Sequence, residues 1–405
     1  MKQRLQRGHL KDPASGLDAV ADLWIDQGIV TAVGEPPSDP DGYQSVDVSG
    51  CWILPGLVDL AARVLEQPAS ELAAAAAGGL AHVVCPPTDS LPLDTPAKVR
   101  ERLASAEAAP AAVHVLGALT RGQAGQQLTD QAALRAAGCV GLSDGGRPIA
   151  DSKVLRSALR YAASLDLTVF LQPMDPGLAD GCAHEGAIAT RLGLPAVPAA
   201  AETAGMARIL ALAADTGATI HLTRLSSAAG VAMLQRARSD GLRITADVAA
   251  HQLFLTEHDL VGFDPLCHVQ PPLRSTGDRD SLVRAVVDGN IDAICSDHTP
   301  LPADAKLAPF GDTEPGISGL ETLLGLGLRL TEDGHLSLAK LLERLTAGPA
   351  GIIGLEPPAI RPGAHVVVYD PSEDWSPCGE RWRSSGGNTP LKHWTFHGRV
   401  RVPSS

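Results

Sequence analysis

An aspartate and a histidine stand side by side after an apolar run, in Cys295-Ser296-Asp297-His298-Thr299-Pro300. A carboxylate in such a place suits general-base or metal chemistry. Three further imidazoles, His184, His221 and His251, are scattered along the chain. They could gather around a metal, but isolated histidines read more simply as structural or capping residues. Ser226 and Ser296 are candidate nucleophiles without a G-x-S-x-G setting or an evident histidine partner. His82 lies inside an apolar strand and reads as a satisfied core histidine.

Chemistry of this kind needs a scaffold that delivers it to strand ends. Short apolar runs recur at Trp52–Leu57, Leu80–Cys85, Ala112–Leu119, Cys139–Leu142, Leu167–Leu171, Ala218–Leu222, Arg243–Val248 and Ile291–Cys295. Between them lie 3.6-residue patterns, as in Asp151–Ser164, Glu202–Thr216 and Ser226–Ser239. Near-continuous apolar strands alternating with helices imply parallel strands buried on both faces. Eight such units predict an α/β fold, a (β/α)₈ TIM barrel, whose working residues sit at the C-terminal ends of the strands. The ends of the chain read as antiparallel β, with Leu23-Trp24-Ile25, Ile29–Val33, Ala364–Tyr369 and a turn at Ser384–Asn388. The expected organisation is a small β-sandwich domain built from residues 1–50 and 362–405, flanking a barrel over residues 51–361.

Composition narrows the function classes. The 405 residues carry 33 Lys+Arg and 46 Asp+Glu, a net charge of −13, which argues against a nucleic-acid binder. Aromatic residues are only 3%, so the core must be aliphatic. Seven cysteines, an odd number without a C-x-x-C pair, fit neither a disulfide framework nor a thiolate zinc site. With no apolar leader and no long apolar span, the expected location is the cytoplasm, away from membranes.

Six motifs in order carry a resemblance. They are Leu57-Val58-Asp59-Leu60-Ala61-Ala62-Arg63, Ser143-Asp144-Gly145-Gly146, Leu171-Gln172-Pro173-Met174-Asp175, Arg224-Leu225-Ser226-Ser227, Gln270-Pro271-Pro272-Leu273-Arg274-Ser275 and Ser296-Asp297-His298. Together with Gly316–Glu321 and Asn388-Thr389-Pro390, this order resembles dihydroorotase, of the cyclic amidohydrolase superfamily, over essentially the whole chain. The resemblance implies a metal-dependent barrel with a small β domain from both termini.

The departures are more telling than the matches. The resemblance places metal-ligand histidines at Ala61, Arg63, Gln172 and Arg224, and a bridging carboxylate at Gly145. Alanine and glycine offer no donor atom, and arginine is always protonated without a lone pair. Only Asp297 matches, at the metal-bound general base. One carboxylate cannot hold a catalytic zinc, which takes about three protein ligands, so no metal and no cofactor is expected. Leu65 stands at the substrate-clamping arginine, Pro87 and Gln270 at two asparagines, and Leu301 at a histidine.

A barrel that loses its dications while keeping Asp297 would bury an unpaired carboxylate. A guanidinium of Arg63 or Arg224 is therefore expected in the old metal space, paired with Asp297 or Asp59. Asp297 itself is then vestigial, a buried carboxylate kept by its hydrogen bonds. The resemblance further implies a pseudoenzyme: an inactive dihydroorotase homologue in pyrimidine biosynthesis, a structural or regulatory subunit of an aspartate carbamoyltransferase complex. In it, dimers of the chain would bridge transferase trimers in a large hetero-oligomer. The alternatives are a divergent amidohydrolase acting on a cyclic amide with one metal or none, and a small-molecule sensor.

Overall fold

Eight parallel strands follow one another around a barrel in a computed structural model, which describes residues 2–107 and 109–401. They are β1 (Leu57–Asp59), β2 (Leu80–Cys85), β3 (Ala112–Ala118), β4 (Cys139–Ser143), β5 (Val169–Leu171), β6 (Ile220–Leu222), β7 (Ile244–Ala249) and β8 (Ala293–Cys295). Their order in the sheet is their order in the chain. Backbone bonds from Arg63 to His298 and from His298 to Ala61, each 3.0 Å, link the ends of β1 and β8. Val58, Leu60, Val84, Leu116, Phe170 and Ala293 fill one interior cluster. The short helix Ala347–Ile352 adds Ala350 and Ile352 to it and accepts a hydrogen bond from Thr168, just before β5. That helix stops the N-terminal end, so the mouth lies at the other.

Helical periodicity places the outer ring. Helix Ser152–Ser164 buries Leu155, Ala158, Leu159 and Ala162, a stripe at helical spacing. Asp151 caps it by accepting from the amides of Lys153 and Val154. The patterns expected at Glu202–Thr216 and Ser226–Ser239 form helices Ala199–Thr216 and Ala228–Ser239, the latter capped by Ser227. Among the described residues no helix is long and apolar enough to cross a membrane.

The run Trp52–Leu57, expected as the first barrel strand, is divided. Trp52–Pro55 pairs with His9–Leu10 and with Val366–Tyr369 in the terminal sheet, whereas Leu57–Asp59 pairs with β2. The division falls at Gly56, where any Cβ would collide with that of Ala81. An apolar run shows burial but not which of two abutting sheets receives each half. The terminal sheet has seven strands: Phe396–Arg401, Val366–Trp375, Trp52–Pro55, Lys2–Asp12, Leu17–Asp26 and Ile29–Val33 in order, with Gln44–Asp47 also beside Lys2–Asp12. Its own core contains Leu5, Leu10, Leu23, Ile25, Val30, Ile53 and Val368. A small β domain from both ends of the chain thus stands beside the barrel.

Candidate functional site

The mouth holds a cavity of about 450 Å³. Arg63, Gly145, Gln172, Arg224, Gln270, Asp297 and Leu301 all line it, and Ala61 lines a recess beneath. These positions, spread over 241 residues of chain from 61 to 301, are brought together by the strand ends. Two others are not. Leu65 is buried in the main apolar core, and buried Pro87 reaches the site through its carbonyl, which accepts from Gln123 at 3.4 Å.

At the centre is an ion pair. Arg224 Nη1 donates to Asp297 Oδ1 at 2.8 Å, and Nη2 donates to Gln172 Oε1 at 2.7 Å. Both partners are largely buried, with side-chain exposures of 13% and 9%. Burial pulls the Arg224 guanidinium down, but the charge and hydrogen bond of Asp297 more than offset it and hold it above its ordinary value. Arg224 and Asp297 both hold left-handed backbone, with φ of 56° and 51°. Such conformations cost about 1–3 kcal/mol each in residues other than glycine and persist only when the surroundings impose them. For Arg224 the imposing group is Asp247, whose carboxylate accepts from the Arg224 amide at 2.6 Å and pairs with His221 Nε2 at 2.9 Å.

Gly146 makes room for this pair. A Cβ there would stand 2.8 Å from Arg224 Nη2 and 2.9 Å from Gln172 Oε1. Gly145 has φ of +66°, and a Cβ on it would run into the Pro87 carbonyl oxygen. The bridging carboxylate that the resemblance assigns to this place would not fit the loop as it stands.

Arg63 lines the cavity without an ion pair among the described residues. Burial, then the like charge of Arg224, lowers its guanidinium, against opposing pulls from Asp297 and Glu66. Of the pairings of Arg63 or Arg224 with Asp297 or Asp59, Arg224 with Asp297 is the one formed among the described residues. Asp59 instead accepts from the amide (2.9 Å) and hydroxyl of Ser296, and burial raises its carboxyl.

The residues present do not fit a zinc centre. Zinc needs imidazole nitrogen, thiolate or carboxylate oxygen, and the positions offer a methyl, a glycine, an amide and two guanidiniums. Among the described residues no three His, Cys, Asp or Glu side chains are grouped as a metal site. The histidines considered for a replacement site do not converge. His221 is held by Asp247 and Thr245, and His184 faces Arg274 at 3.2 Å. His251 is buried with neither ring nitrogen partnered among the described residues. Burial pushes it down to about 4, reinforced by Arg224 and opposed by Asp297. The Ser226 hydroxyl donates to Glu202 and that of Ser296 to Asp59, so neither is poised for attack. His82 pairs with His114 at 3.1 Å.

One layer out, the polar groups are matched. His298 Nε2 contacts Glu71 at 2.9 Å, while Nδ1 accepts from the Gly319 amide. Glu71 also accepts from Ser384 and from the amide and hydroxyl of Ser385. Burial alone would raise its carboxyl, but these bonds hold it down at about 2. Asn388 accepts from the amide of Leu301 and from Ser318, and donates to the Thr299 carbonyl. Nothing in the local sequence marks Glu71 or Gln123 as site residues. A glutamate in an Ala-rich helix, 227 residues from the histidine it meets, carries no local signal.

Barrel and terminal sheet together make an amidohydrolase-type fold. An L-hydantoinase (dihydropyrimidinase) from Arthrobacter aurescens matches with a TM-score of 0.83, covering 99% of this chain and 94% of that one. At 20% identity that likeness shows the fold alone. The family model for Dihydro-orotase-like proteins matches residues 50–229. A dihydroorotase-like protein from Pseudomonas aeruginosa is 45% identical, covering 96% of this chain and 95% of that one. A protein named dihydroorotase, from Geobacter sp. (strain M21), is 34% identical over 99% of this chain and 97% of that one. The chain belongs to the dihydroorotase-like family.

Proposed function

We propose that the chain is a catalytically inactive member of this family, without zinc or any other cofactor. The reading rests on one observation: the Arg224 guanidinium occupies the mouth and is spent on Asp297 and Gln172. A general base bound to arginine has no metal-activated water to deprotonate. The resemblance then supports a structural or regulatory role within an aspartate carbamoyltransferase complex of pyrimidine biosynthesis. In that complex a dimer of this chain contacts the transferase catalytic chain. Its acidic charge and free cysteines, six of them buried, suit a cytoplasmic subunit that binds no nucleic acid.

Two measurements test the two halves. Metal analysis with turnover of carbamoyl aspartate and dihydroorotate should find no stoichiometric zinc and no activity; bound zinc with turnover would overturn inactivity. Co-expression with the transferase of the same cell should give one large assembly on sizing, with transferase activity dependent on this chain. A dimer that ignores the transferase would remove the partnership. The second reading, a divergent amidohydrolase acting on a cyclic amide, draws support from relatives that carry the name dihydroorotase. The turnover assay decides it as well.

A further inference from the structure

The terminal sheet is unfinished along one strand. Leu17–Asp26 pairs with Lys2–Asp12 on one side, but on the other Ile29–Val33 covers only Leu23–Asp26. The Asp22 carbonyl accepts from the Gly34 amide at 2.8 Å, and there the cover stops. Leu17–Ala21 thus has an open edge among the described residues, with Asp18, Ala19 and Val20 exposed. The segment holds no proline or lysine and pairs without a bulge, so the usual defences of an edge are missing. Its one charge, Asp18, is answered by His9 Nε2 and, at 3.7 Å, by Lys11 Nζ.

Backbone direction shows which groups are left over. The His9 amide donates to the Cys51 carbonyl at 3.0 Å, away from this strand, and His9 lies opposite Val20. Facing residues of that kind in an antiparallel pair exchange no hydrogen bonds. Val20 therefore turns its own N–H and C=O outward, and Asp18, two residues away, does the same. Side chains alternate across the strand, so Leu17, Ala19 and Ala21 share one face. There Leu17 and Ala21 pack, half-buried, on the core of Leu5, Leu10 and Ile53.

We infer that this edge is where two copies of the chain join, by antiparallel pairing of Leu17–Ala21 about a two-fold axis at Ala19. That axis sets Asp18 of each copy opposite Val20 of the other, so every outward N–H meets an outward C=O. An axis at Asp18 would set two carboxylates face to face, and one at Val20 would need Asp22, whose carbonyl is taken. On the core face Leu17 meets Ala21 and Ala19 meets itself, a side chain small enough for the close approach of a pair without hydrogen bonds. The joined rows shield the open side of the core. The inference rests on the dimer of the reading above and needs neither inactivity nor the transferase.

Sedimentation equilibrium of the isolated full chain tests it. The wild type should dimerise in a concentration-dependent way. Val20→Pro removes an outward N–H and no bond within the chain, and should raise the dimer dissociation constant about tenfold or more. Ala19→Lys and Ala19→Glu should each weaken the dimer through like charges across the axis, and an equimolar mixture of the two should associate more tightly than either alone. Ala19 is exposed, so this pair carries the test should Val20→Pro fail to fold by circular dichroism. A wild type monomeric at every concentration would overturn the edge together with the dimer. A dimer unchanged by Val20→Pro would overturn the edge alone and leave the dimer of the proposed function on another face. A mixture no tighter than its components would overturn the axis at Ala19. A monomer that joins the transferase, and loses it in Val20→Pro, would give the edge to that chain and overturn the pairing of copies.

Discussion

The centre of the barrel mouth and the layer just outside it follow opposite rules. In the outer layer each buried carboxylate has a neutral or hydrogen-bonding answer: Asp59 has Ser296, Asp144 has Thr120, Glu71 has His298 and two serines, and Asp247 has His221. At the centre, by contrast, sit two guanidiniums, one carboxylate, and, among the described residues, an unmatched amide donor and an unpartnered histidine. The outer layer holds geometry and would do so in a barrel of any chemistry. The centre is lined instead by donors of protons, the guanidiniums of Arg63 and Arg224 and the amide of Gln172.

Breaking the central ion pair gives the largest expected effect. Arg224→Met leaves Asp297 buried and uncompensated and should cost about 3–5 kcal/mol in urea unfolding. Adding Asp297→Leu should recover most of that loss, because a buried pair is often replaceable by apolar residues. If the single variant lost nothing, the pair would not be what stabilises the centre. Gly145→Ala comes next. Left-handed backbone and the Pro87 carbonyl both oppose a Cβ, so a loss of about 1–3 kcal/mol is expected.

The outer layer should respond no more strongly, site by site. Asn388→Ala strands the Leu301 amide and the Thr299 carbonyl and should cost about 1–3 kcal/mol in urea unfolding, additively with Arg224→Met. A clear departure from additivity in the double variant would show that the two layers are coupled. The smallest effect is a slope. His251 has an ordinary value of 6.5 and is held down at about 4 when folded, so the unfolded chain takes up its proton first. Stability should therefore fall as pH drops from about 6.5 to about 4, and His251→Phe should flatten that part of the pH–stability curve. His82 and His268, also pushed to about 4 chiefly by burial, would add to the slope.

Strand and helix periods made the barrel legible, because a parallel strand buried on both faces leaves an unbroken apolar run. The same signal misplaced Trp52–Pro55, since burial in the terminal sheet looks identical to burial in the barrel. At the site, charge logic anticipated a guanidinium on Asp297. It did not distinguish Arg224 from Arg63, because that choice depends on how far each strand end lies from Asp297. Leu65 reads as a substrate position by motif, yet it packs in the core. Residues such as Glu71 and Gln123 act through long-range contacts that no local pattern encodes.

The terminal sheet has a consequence for the order in which the chain can fold. Asp12 accepts from the amide of Ile360, 348 residues away, and Trp52–Pro55 needs Val366–Tyr369 beside it. On a ribosome the N-terminal strands emerge first and must wait, with one edge open, until nearly the whole barrel has been made. Loop closure over such a distance is slow and exposes pairing edges meanwhile. Synthesis of this chain is therefore most vulnerable to mispairing in its last stretch, and a C-terminal truncation before residue 366 should free an unpaired strand edge more than it harms the barrel.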